Sequence, residues 1–205
     1  MRSSKFNKSL FQILISLGLI LMLPGCKEKP MTMQDISTYQ SEYQGSNLEF
    51  GAKYLPKLLG PHFKSIEEGL GGNQKKEIHL VYGGNTALTF TDEKEYQNYT
   101  ISFHKLILLR MALLLKVCTT ENYSLSLSKP FFVKGETNPE TEIQEFEVLR
   151  TTIPKSKVDS ILLKYKNWNV LENPKLDSET WLKISKEIDE AWIVELNELS
   201  RVSLE

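Results

Sequence analysis

Two glutamates, Glu145 and Glu147, sit two residues apart in "EIQEFEVLRTT". On a strand that spacing puts both carboxylates on one face. Paired carboxylates do acid–base work when an enclosing cleft drives their pKa values apart; on an open sheet face they serve solubility. The histidines, His62, His79 and His104, fall in three different segments. No pair has ligand spacing and no cysteine stands beside them, so neither zinc nor another metal is expected. The chain has no G-x-S-x-G elbow, no cysteine–histidine signature and no nucleotide fingerprint. "GGN" occurs at 71–73 and 83–85 without the lysine and hydroxyl residue of a phosphate loop, so both are read as turns. No cofactor is expected.

The remaining reactive residues are two cysteines, Cys26 and Cys118. Cys118 ends an apolar run and reads as a small buried hydrophobe. Cys26 stands at the end of a different pattern. Arg2, Lys5 and Lys8 precede an apolar run from Leu10 to Leu23, after which Pro24 and Gly25 break the chain. The run is shorter than the roughly 20 residues a spanning helix needs, and a charged start with a short apolar run is of secretory type. An uncleaved anchor is the competing reading.

Leu23-Pro24-Gly25-Cys26 in this setting resembles the lipobox of a bacterial lipoprotein precursor. The resemblance covers the first 26 residues. It implies that Cys26 takes a diacylglycerol through its sulfur and that a signal peptidase removes residues 1–25. The thiolate is the nucleophile such a thioether needs. Two or three acyl chains at roughly 0.8 kcal/mol per CH₂ hold a protein to a bilayer far better than one. The implied mature chain has 180 residues, and Cys118 is its one free thiol. Lys27 follows the cysteine where an acidic residue would favour the inner membrane, so the implied location is the bacterial cell envelope, on the outer membrane.

Charge fits a tethered body more than a nucleic-acid binder. The chain has 25 basic and 26 acidic residues, and with residues 1–25 removed the balance is 22 against 26. A mildly acidic body lacks the basic face that phosphate needs, and as a whole it draws no anionic lipid.

The elements that would position these residues follow from periodicity. Residues 26–47 are polar and aperiodic and are expected to form a flexible tether, with a single globular domain over 48–205. Leu48, Ala52, Leu55 and Leu59, then Phe63, Ile66 and Leu70, predict a broken helix or two short ones. Ile78, Leu80 and Tyr82 predict a strand, and Leu88 and Phe90 a second one after a hairpin turn. Asp92-x-x-Glu95 opens a helix to about Val117, whose first half also reads as a strand. Ser124, Ser126 and Ser128 alternate with Leu125 and Leu127, and Phe146 and Val148 with the two glutamates, giving two more strands. Val158, Ile161, Leu162 and Tyr165 predict a helix. A last one, capped by Asp177 or Ser178, carries Trp181, Ile184, Ile188, Trp192 and Leu196.

The expected fold is α+β: a small antiparallel sheet in the order α-β-β-α-β-β-α-α, packed by helices on one face and wet on the other. Thr89, Thr91, Ser124, Ser126, Ser128, Glu145 and Glu147 would make the wet face a candidate binding surface. Trp168, in "YKNWNVLENP", is a further candidate. Two functions fit. One is a lipoprotein with a non-catalytic binding or scaffolding role toward an envelope or extracellular protein. The other is an envelope hydrolase whose carboxylates spacing does not reveal.

Overall fold

The computed structural model describes residues 31–72, 74–83, 92–132, 143–172, 175, 176 and 178–201. Cys26, Thr89, Thr91 and the strand expected at Leu88–Phe90 lie outside them.

The described chain is α+β. Helices α1 (Met33–Ser41) and α2 (Asn47–Leu59) precede strands β1 (Phe63–Leu70) and β2 (Lys76–Tyr82). Helix α3 (Glu93–Leu114) leads to β3 (Asn122–Phe132) and β4 (Ile143–Pro154), then α4 (Lys155–Lys164), α5 (Glu179–Asp189) and β5 (Ile193–Asn197). The strands form one sheet in sequence order, β1-β2-β3-β4-β5.

The sheet is mixed, which corrects the antiparallel expectation: β2 and β3 run parallel, and the other three pairs antiparallel. Parallel neighbours need a long crossover, and the 22-residue α3 supplies it. The Asp92 side chain accepts from the Glu95 amide at 2.9 Å, fixing the start of α3. One apolar sheet face, with Ile78, Leu80, Tyr82, Tyr123, Leu125, Leu127 and Ile153, joins α2, α3, α4 and α5 in a single core.

Two element readings change. Phe63, Ile66 and Leu70 lie on β1, not on a helix. Their spacing of three and four mimics a helical stripe, but Gly60 and Pro61 stop α2 and the chain then pairs with β2 along its whole length. A Cβ on Gly51 of α2 would run into the end of the Ile66 side chain, so this glycine makes room for Ile66 as it packs from β1. The last helix ends at Asp189, and Trp192 and Leu196 leave its stripe. Ile193 and Val194 instead extend β5 along the outer edge of β4. Ser178 is the cap of α5, accepting from the Trp181 amide.

The leash to Asn47 is also corrected. Thr32 and Asp35 form a reciprocal capping box that starts α1. Ile36 is buried in the core, which stabilises α1 by roughly 1.5–3 kcal/mol. Tyr39 stacks on Tyr54 of α2 at 4.3 Å. One buried side chain and one ring pair are too sparse to show as a period, which is why the stretch reads as structureless.

Candidate functional site

The polar sheet face is built by strand registry. His79 of β2 lies level with Ser124 of β3, which faces Thr152 of β4; one step along, Ser126 faces Arg150. A bulge at Val148 changes what this face can do. Leu127 pairs with Leu149 and Ser128 with Glu147, leaving Val148 as the extra residue. In a regular strand residues three apart point to opposite sides. The bulge puts Glu147 and Arg150 on the same side, where Arg150 donates twice to the Glu147 carboxylate, at 2.6 and 2.8 Å.

The Ser126 hydroxyl donates to the same carboxylate at 2.5 Å. Its oxygen lies 2.7 Å from Nε2 of His79. Because the hydroxyl proton is committed to Glu147, His79 is the donor, and the chain of bonds runs from His79 through Ser126 to Glu147. Burial, then the Arg150 charge, lowers the His79 pKa, although Glu147, Glu67 and Glu195 pull the other way. The ring is therefore neutral at pH 7. Burial would raise the Glu147 carboxyl, but the hydrogen bonds from Arg150 and Ser126 outweigh it and its pKa is lowered.

A second set lies beside the first. Lys64 is the extra residue of a bulge in β1, between Phe63 and Ser65. Its ammonium bonds Glu145, which also accepts from the Ser128 hydroxyl at 3.1 Å. Gly83 permits this arrangement: a Cβ there would stand 2.7 Å from the Ser128 carbonyl oxygen and inside the Lys64 side chain. The hydrogen bond from Lys64 is the main reason the Glu145 pKa is lowered.

Ser124, Ser126, Ser128, Glu145 and Glu147 are thus brought onto one face, as expected from the sequence. The face is less wet than expected. Ser126 is 1% exposed, and Ser124 and Ser128 are buried as well, because the longer side chains around Ser126 bond it from above. Sequence reading missed His79, Arg150 and Lys64. Two of the three depend on bulges, and an extra residue in a strand leaves no mark on apolar alternation.

Chemically the face is closed. A nucleophilic serine gives its proton to a histidine; Ser126 gives its proton to a carboxylate already held by an arginine. Both glutamates are ionised partners of cations, so neither is set up as a general acid.

The other histidines are also engaged. His62 donates through Nδ1 to the Gly83 carbonyl at 3.0 Å. His104 is fully buried, with Nδ1 2.9 Å from the Tyr82 hydroxyl and Nε2 2.9 Å from the Thr151 hydroxyl. Burial, aided by the Lys105 charge, pushes its pKa down to about 3. Among the described residues no three His, Cys, Asp or Glu are grouped to hold a metal ion, and no helix is long and apolar enough to cross a membrane.

Among the described residues, two grooves on the helical side have mainly apolar linings. One, of about 960 Å³, has a floor of Leu59, Phe103, Leu106 and Ile107 and a rim that includes His62 and Arg110. The second, of about 380 Å³, has Trp168 in its wall, with Leu109, Leu113, Leu162 and Ile184. Trp168 packs on Trp181 with ring centres 5.7 Å apart. The structure therefore does not join Trp168 to the sheet face. The chain matches no family model, no curated protein and no solved structure.

Proposed function

We propose that this protein is a lipid-anchored lipoprotein of the bacterial cell envelope, placed on the outer membrane, with a non-catalytic binding or scaffolding role. The anchor is the diacylglyceryl thioether on Cys26 implied by the lipobox resemblance. The observation that carries the non-catalytic half is the Ser126 hydroxyl, bonded to Glu147 at 2.5 Å and withdrawn from His79 as a base. Two carboxylates locked to two cations in adjoining networks are poorly suited to proton turnover. They are well suited to recognition, because their ordering cost is met before a partner arrives. Glu145 and Arg150 keep part of their side chains in water on this face, and a protein of complementary charge is the partner that fits it.

Two measurements test the reading. Cys26→Ser should abolish lipid labelling and leave the larger precursor; a variant still cut to the same mature size refutes the anchor. A photoreactive residue at exposed Glu67, on the same face as His79, should give a discrete protein adduct in envelope membranes, lost in Glu145→Lys. Hydrolysis of ester or peptide substrates that disappears in Ser126→Ala would instead establish the hydrolase reading.

A further inference from the structure

The corrected N-terminus changes where the domain can stand. The described body begins at Met31, which packs against the core, and Thr32 caps α1. If Cys26 is the anchored residue, four residues, 27–30, separate it from Met31, which is five Cα–Cα steps away. Five fully extended residues span at most about 17 Å. A tether running to Asn47 would have spanned roughly 70 Å. A domain of this size has a radius of gyration of about 16 Å. The leash is thus about as long as the domain's own radius of gyration, and the end of the body next to Met31 is held close to the lipid surface.

That end is not an ordinary surface. Met33, two residues beyond Met31, is 48% exposed and lines the smaller groove. Across the groove Leu163 at the end of α4 is 70% exposed. The exposed lysines Lys116 and Lys166 stand on its wall with half-buried Trp168 between the apolar residues. The one acid lining it, among the described residues, is Asp159, whose carboxylate is held by Lys155 at 2.6 Å. Exposed Met and Leu, a tryptophan and unopposed lysines are the composition of surfaces that rest in the headgroup layer. The net acidity of the body does not weigh against this, because charges beyond about 8–10 Å are screened in physiological salt.

We propose that this pole, formed by α1, the end of α4 and the Trp168 loop, docks on the bilayer that carries the anchor. Met33 and Leu163 enter the interface, and Lys116 and Lys166 meet anionic phospholipid headgroups. The inference rests on the lipid-anchor reading and deepens it by assigning the domain an orientation.

The mature lipidated protein in vesicles containing anionic phospholipid tests it. Cys118 is buried and its thiol is pushed up to about 12 by burial, and Cys26 carries lipid, so an introduced cysteine is the reactive one. An environment-sensitive fluorophore on Leu163→Cys should shift to the blue and lose most of its emission to quencher-labelled lipid. The same fluorophore on Glu67→Cys, on the opposite sheet face, should do neither. Lys116→Glu with Lys166→Glu, or high salt, should weaken the quenching at 163 while the protein still floats with the vesicles. A lipidated, vesicle-bound protein whose 163 probe is quenched no more than its 67 probe overturns the docking alone. Shielding of the 163 probe without quenching by lipid means a protein occupies the groove and also overturns it. A mature chain whose mass shows no lipid on Cys26 overturns the anchor and the docking together.

Discussion

Replacing His104 by phenylalanine should destabilise the protein through two hydroxyls rather than through volume. The imidazole, from the middle of α3, joins Tyr82 of β2 to Thr151 of β4, with both distances 2.9 Å. Phenylalanine fills similar space but leaves both hydroxyls buried without their histidine partner. Each orphan costs about 1–3 kcal/mol, so the variant should lose about 2–6 kcal/mol. Removing the hydroxyls as well, in His104→Phe/Tyr82→Phe/Thr151→Val, should bring stability back to within about 1–2 kcal/mol of the parent. Urea unfolding with an unchanged m-value is the assay.

The same pair of proteins carries a pH signature. His104 keeps its folded-state pKa near 3, against 6.5 in the unfolded chain. The unfolded chain therefore binds the proton first on acidification. The stability due to neutral burial is fully present above pH 6.5 and is lost as pH falls toward 3, at about 1.4 kcal/mol per pH unit. The triple variant has no such group in either state, while every other side chain that titrates between pH 4.5 and 6.5 is common to both; the lost Tyr82 hydroxyl titrates only in strong base. From pH 6.5 to 4.5 the parent should lose about 2.5 kcal/mol more than the triple variant. Equal pH slopes, or a triple variant as weak as His104→Phe alone, would refute the buried hydroxyl–imidazole–hydroxyl bridge.

Three further outcomes follow from the packing. Ile36→Ala should cost about 2–4 kcal/mol and expose residues 31–42 to protease, whereas a true leash would show no change in the unfolding midpoint. Lys105 is 5% exposed and Asp189 51%, so Asp189→Asn, which leaves a buried ammonium with the Ser185 hydroxyl but no counter-ion, should destabilise more than Lys105→Met, which leaves a carboxylate that water can solvate; chemical denaturation ranks the two. The Cys118 thiol should stay unmodified by a neutral thiol reagent in the native protein and react fully in denaturant, and rapid native labelling would contradict its burial.

Much of the fold was legible where one period dominates. Ile78, Leu80 and Tyr82, and Leu125 and Leu127 between serines, alternate cleanly, and these strands are present with those residues buried. Asp92 and Ser178 announce their helices because a cap is a local bond between neighbours in sequence. The misread stretches are short. Phe63–Leu70 and Ile193–Asn197 have spacings that suit either element, and pairing partners far along the chain decided for strand.

The local chemistry of the chain was thus a property of the sequence: which residues can cap a helix, and which alternate along a strand. So was the placing of Ser124, Ser126, Ser128, Glu145 and Glu147 on one face, since side-chain direction within a strand depends only on parity. What that face can do was settled by the tertiary structure. Bulges at Val148 and Lys64 break the parity, bring Arg150 to Glu147 and Lys64 to Glu145, and commit the Ser126 proton to a carboxylate. The folding of Met31–Ser41 onto the core is likewise tertiary, because Ile36 has its partners in distant segments. A single strand carries no record of the neighbour that forces an extra residue into it, and a single buried side chain makes no pattern. Both exist only once the partner strands and helices are in place.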